Sequence, residues 1–225
     1  MHIEPGVVDG AKMALAVATA AASAGIAAKL TWDTIREDGP VAMMTRSVLA
    51  TAAVFVFFQV FPHYPVGISE VHLILGSTIF LVFGAGPAAI GLAVGLLLQG
   101  LFFAPTDLPM FFVNVTTLIV PLGGVALLAK RIIAPRTPYV DVSYVQALAL
   151  SSAYQGGIVA WVAFWAFYGQ GFGAANLASV ASFGGAYLLV IAIEPLADLA
   201  VLAAAKLGAG LLGRPLVSSR VYQPA

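Results

Sequence analysis

Seven apolar runs follow one another along this chain with almost no charge inside them. A membrane-crossing helix needs roughly 20 mostly apolar residues. The runs lie at about Val7–Thr31, Val41–Phe61, Val71–Phe83, Pro87–Phe103, Phe111–Ala129, Tyr144–Phe167 and Ala178–Ala205. Only 9% of the residues are charged, against roughly 25% in a soluble domain. So little charge cannot cover a surface facing water. The expected fold is an all-α membrane protein, a polytopic bundle of about seven transmembrane helices forming one integral-membrane domain over residues 1–225.

The third and fourth runs are short and meet at Gly84-Ala85-Gly86-Pro87. Gly and Pro interrupt helices, so this stretch predicts a turn between two spans rather than one long helix. Basic residues decide the threading. With the N-terminus outside and the C-terminus cytoplasmic, Lys29, Arg36, Arg46, Lys130, Arg131, Arg136, Lys206, Arg214 and Arg220 fall inside, and only Lys12 falls outside. This is the positive-inside pattern. Merging the third and fourth runs would split the basic residues between the two sides. The polar stretch Asp33–Arg46 reads as an inner loop, and no fixed-period repeat or second domain is visible.

Net charge is zero, which gives no reason to expect a nucleic-acid partner. Cysteine is absent, so any metal must be held by nitrogen or oxygen. The chain has three histidines, His2, His63 and His72, and all fall on the outer side of the seven-helix threading, with His72 opening the third helix. The first residues lack a basic cluster ahead of an apolar run, so no cleaved signal is expected and the mature chain should begin at Met1. A free Met1 amine, the His2 backbone nitrogen and a His2 ring nitrogen would then close two small chelate rings, with His72 or His63 supplying a fourth nitrogen. A planar four-nitrogen site suits Ni(II) or Cu(II) better than Zn(II). The amide nitrogen must lose a proton, so such binding weakens as pH falls. A histidine near a terminus or a helix end is, equally, often no ligand at all.

The opening Met1-His2-Ile3, followed by an acid, a proline and Gly6, resembles the start of the CbiM/NikM family of substrate-binding components of energy-coupling factor (ECF) cobalt and nickel transporters. Ser69-Glu70-Val71-His72-Leu73-Ile74-Leu75-Gly76, continuing to Phe83-Gly84-Ala85-Gly86-Pro87, is similar to the family's histidine-bearing third helix and Gly-Pro turn. Leu97-Leu98-Gln99-Gly100-Leu101-Phe102-Phe103, Asn114 and Ala192-Ile193-Glu194 match further family features in order. The resemblance implies a planar nitrogen site with Met1, His2 and His72 as ligands, and assigns no role to His63. It implies Ni(II) or Co(II) as the transported ion, no prosthetic group, and an importer of the prokaryotic inner membrane. A transmembrane coupling protein and two ATP-binding subunits would complete it, since no phosphate-binding loop occurs in this chain. Three departures lie near the site: Glu4 precedes Pro5, Val7-Val8-Asp9 replaces the family's Phe-Leu-Pro, and Glu70-Val71 replaces small polar residues.

Other residues carry weaker signals. Gln99 and Asn114, around the outer loop Ala104–Met110, are candidates to orient ligand histidines. Glu194 and Asp198 share a face of the last helix, as a cation or proton pathway or as a packing contact, with Asp198 nearing the inner boundary. Ala14, Ala18 and Ala22 recur every fourth residue, as do Ala16, Ala20, Ala24 and Ala28, so another helix can approach closely, either in this chain or in a partner. Trp161, Phe164, Trp165, Phe167 and Tyr168 read as an interfacial aromatic belt in contact with lipid.

Two rivals to a metal-capture subunit stay open. One is a transporter subunit for an organic micronutrient that does not need His2. The other is an intramembrane metal-dependent enzyme with Glu4 or Glu70 as base, although no His-Glu-x-x-His pair or Gly-x-Ser-x-Gly turn is present.

Overall fold

The computed structural model describes residues 2–208 and 215–223. Met1 and Arg214 lie outside the described residues. Seven α-helices run in the order α1 (Met13–Asp38), α2 (Pro40–Phe55), α3 (Gly76–Phe83), α4 (Ala85–Phe102), α5 (Phe111–Ile132), α6 (Tyr144–Gln170) and α7 (Ala174–Leu207). A hairpin of β1 (Tyr64–Val66) and β2 (Ser69–Val71) is inserted before α3. Six of the seven helices are long and apolar enough to cross a membrane. The chain is an all-α polytopic membrane protein.

The third crossing differs from expectation. Helix α3 has eight residues, a rise of only ~12 Å against a hydrocarbon core of about 30 Å. Non-helical backbone from His72 to Leu75 covers the rest, so His72 precedes the helix instead of opening it. Non-helical backbone is tolerated at membrane depth only where protein surrounds it. Accordingly His72, Ile74 and Leu75 are buried, and the Leu75 amide faces the Glu194 carboxylate on α7. Leu75 sits in the left-handed region with φ 53°, a conformation that costs a non-glycine residue roughly 1–2 kcal/mol. It swings the chain from strand direction into α3.

The first two crossings are also shifted. Val7 and Val8 pack into the core as part of an N-terminal cap rather than starting a span. Helix α1 then continues to Asp38, so the polar stretch from Asp33 is mostly helix and not loop. It ends at Gly39, whose φ of 88° only glycine adopts freely, and Pro40 occupies the first turn of α2, where its missing N–H costs nothing. A similar glycine, Gly84 with φ 91°, makes the turn between α3 and α4. Arg46, fully buried, ties that turn down. It donates to the Phe83 carbonyl at 3.1 Å and pairs with Asp38 at 2.7 Å.

The chain threading places the hairpin and the α4–α5 and α6–α7 connections at one end of the bundle. The basic residues gather at the other. There the C-terminal segment docks back, with Ser218 N–H on the Val82 carbonyl and Arg220 on the carbonyls of Ala134 and Thr137. Among the described residues only Lys12 stands at the hairpin end, where it donates to the Gly169 carbonyl.

The two alanine rows of α1 part company. Ala16 is buried and Ala20 half-buried, while Ala14, Ala18, Ala22, Ala24 and Ala28 are exposed. The aromatic group on α6 is a belt only in part. Trp165 is fully buried and shares the Thr116 hydroxyl with Trp161. It packs in the core because α6 turns that face toward α5.

Candidate metal centre

The residues after Met1 fold as a short strand against the hairpin. Ile3 pairs with Ser69, Glu4 N–H donates to the Ile68 carbonyl, and Glu70 N–H donates to the His2 carbonyl. The Ser69 hydroxyl also donates to that carbonyl, at 2.9 Å. From α5, Asn114 Oδ1 accepts the Ile3 N–H at 2.9 Å, and Ile3 itself is fully buried. Four separate contacts thus hold the start of the chain in the mouth of the bundle. Asn114 anchors backbone and touches neither histidine ring.

His2 is 4% exposed and His72 is 1% exposed. Their ring centroids lie 5.7 Å apart although 70 positions separate them in sequence. His2, Glu70 and His72 each offer a ligand atom, all within 4.8 Å of one another. His63 stacks on His72 at 4.9 Å, nearly parallel at 9°, and the Phe58 ring lies 5.5 Å from His72. The His63 Nδ1 meets the Phe61 carbonyl, so this ring supports His72 as a wall.

The hydrogen bonds define which nitrogen each ring keeps free. The Gln99 amide nitrogen faces the Phe58 carbonyl at 3.2 Å, which turns its oxygen toward His2. That oxygen accepts from His2 Nε2 at 2.7 Å. Glu70 Oε2 likewise accepts from His72 Nε2 at 2.9 Å. A neutral imidazole has one N–H, so both rings keep an Nδ1 lone pair, and neither Nδ1 has a hydrogen-bond partner. Burial favours the neutral form. It pushes His2 down to about 3. Two buried rings with fixed tautomers and free nitrogens are suited to a metal ion.

Asp107, in the short helix Pro105–Met110, approaches His2 Nδ1 at 3.1 Å. Its carboxyl is pushed up by burial and then by the charges of Glu70 and Glu4. Neither Asp107 nor the bond from Glu70 to His72 is anticipated in the sequence reading. Glu70 lies in β2 two residues before His72, and the expected helix Val71–Phe83 left Glu70 in the preceding loop with no tie to the ring. For Asp107, brought in from a loop 105 positions after His2, no spacing signal was available.

Glu194 and Asp198 lie away from this cluster, deep in the bundle and fully buried. Glu194 accepts from Ser151 at 3.0 Å and from Gln155, both on α6. Asp198 accepts from Ser77 at 2.7 Å and from Thr78, at the start of α3. Asp198 stands nine residues before the end of α7 at Leu207.

A family model described as "Cobalt uptake substrate-specific transmembrane region", CbiM, matches residues 2–207. The chain belongs to this family. CbiM proteins are transporter components and not enzymes, so the intramembrane-enzyme alternative is set aside. The chain is a substrate-specific membrane component of cobalt uptake, of a kind that works with other transport subunits. Comparison with curated proteins and with solved structures found no match.

Proposed function

We propose that this CbiM protein captures Co(II) or Ni(II) at the hairpin end of the bundle and passes it to the opposite side. The observation that carries the reading is the buried His2–His72 pair with both Nδ1 atoms unpartnered. A free Met1 amine and the deprotonated His2 amide add two nitrogens, so Met1, His2 and His72 form the ligand set. Gln99 fixes the His2 ring, and Asn114 fixes the backbone beside it. Nickel stays alongside cobalt because both accept nitrogen ligands.

The hairpin end faces outward in this reading. The crowding of basic residues at the other end supports that orientation, in the inner membrane of a prokaryote. Import runs through an ECF assembly with a transmembrane coupling protein and two ATP-binding subunits. The exposed Ala14, Ala18 and Ala22 edge of α1 lets a partner helix approach closely. Glu194 stands on the inward side of the site as a candidate pathway group.

Uptake of labelled Co(II) and Ni(II) by vesicles holding the chain with its partner subunits tests this function. Loss of uptake in His2→Ala, with the protein still folded and inserted, is the expected result. Uptake indifferent to His2→Ala contradicts metal capture here and favours an organic micronutrient as the substrate.

A further inference from the structure

The Asp107 contact with His2 is not a hydrogen bond. The Gln99 amide is oriented by Phe58, so it accepts from His2 Nε2 and leaves Nδ1 as a lone pair. Asp107 Oδ2 lies 3.1 Å from that nitrogen, yet Nδ1 has no partner in hydrogen-bond geometry. Two acceptors therefore face each other across van der Waals distance in a site where His2 is 4% exposed. Such a pair is unfavourable unless a cation lies between its members.

The distance is the one a shared ion requires. Two donor atoms each about 2.1 Å from one ion, at a right angle, stand ~3 Å apart. The pair formed by Glu70 and His72 differs, since its 2.9 Å contact has hydrogen-bond geometry. Glu70 thus acts on the ring of His72, as a carboxylate behind a metal-bound histidine does. Asp107 stands on the Nδ1 side of the His2 ring, outside the group of His2, Glu70 and His72 whose ligand atoms lie within 4.8 Å of one another, so it reaches an ion held with His72 as the Pro105–Met110 segment moves in.

Resting on the metal-capture reading above, we propose that Asp107 is an oxygen ligand of the transported ion, beside His2 Nδ1. The nitrogen site of this chain then gains an oxygen ligand beside its plane. An added carboxylate outside the nitrogen plane favours Co(II), which accepts five or six ligands, over Ni(II) in square-planar coordination. Asp107 is accordingly a determinant of metal preference.

The test compares the purified full chain with Asp107→Asn, which keeps shape and removes the charge, and with Asp107→Glu, which keeps the carboxylate. Dissociation constants for Co(II) and Ni(II) are measured for each, with the visible spectrum of the bound Co(II). The expected result is a loss of Co(II) affinity of about tenfold or more in Asp107→Asn, a Ni(II) change under threefold, and an altered Co(II) spectrum. Asp107→Glu should recover part of the Co(II) affinity. Equal losses for both metals with an unchanged spectrum would assign Asp107 to general charge or loop structure and overturn the proposal. Unchanged constants would overturn it as well. If the unmodified chain binds neither metal, the metal-capture reading itself fails, an outcome distinct from either of these.

Discussion

Two buried polar pairs sit in this bundle, and their surroundings differ. Glu194 and Asp198 each accept two side-chain hydrogen bonds, from Ser151 and Gln155 and from Ser77 and Thr78. They lie on a continuous helix and fasten the broken third crossing to α6 and α7. His2 and His72 stand on non-helical backbone, and each has one nitrogen engaged and the other without a partner. Buried polar atoms are normally satisfied. Both oxygens of Asp198 are consumed by the fold, Glu194 keeps one oxygen without a hydrogen-bond partner, and each histidine keeps one ring nitrogen. The proposed binding site rests on the two ring nitrogens, which lie together on neighbouring rings 5.7 Å apart.

The sharpest way to break this contrast is to remove one member of each pair. His72→Ala should lower metal affinity by more than the roughly 100-fold seen for groups that only orient ligands, as calorimetric titration will measure. Gln99→Leu, which releases the His2 tautomer while keeping the side-chain volume, should cost about 10–100-fold in the same titration. Asp198→Ala should leave metal affinity within a few-fold. It should instead destabilise the protein by about 1–3 kcal/mol, because the Ser77 and Thr78 hydroxyls lose their acceptor. Thermal unfolding in detergent checks that value. A metal defect in Asp198→Ala as large as that of His72→Ala would erase the distinction between the pairs. His63→Ala removes only a stacked wall and should have the mildest effect on affinity.

A pH experiment sharpens the same contrast. His2 titrates near 6.5 when unfolded and near 3 when folded. Between these values the unfolded chain takes up a proton that the folded chain refuses. Metal-free stability should therefore be complete above about 6.5 and fall as pH drops toward 3. In His2→Gln that part of the pH slope should vanish. An identical slope in both proteins would show that His2 is not held neutral.

Much of the architecture was legible from hydropathy and basic-residue placement. The Gly-Pro run at Gly84–Pro87 separated two crossings that length alone would merge, and Gly84 does make that turn. What hydropathy could not reveal is that the apolar run from Val71 leaves a strand at Val71 and becomes helix only at Gly76. Val71, Leu73, Ile74 and Leu75 are as apolar in one form as in the other, and the choice is made by Glu194, Asp198 and the hairpin, all distant in sequence. The histidines drew attention because they are rare, which required no geometry. The groups around them were unequally visible: Gln99 had a candidate role, Glu70 lay in what was expected to be loop, and Asp107 gave no signal.

The most direct measurement is a Co(II) and Ni(II) titration of protein tagged only at its C-terminus, beside a variant with one residue inserted between Met1 and His2. The insertion leaves His72, Glu70 and Gln99 untouched, and in the proposed site it takes the Met1 amine out of chelating reach. Tight one-to-one binding that disappears in the variant is the predicted result. Equal binding by both proteins, or by neither, would contradict a site built on the amino terminus and His2.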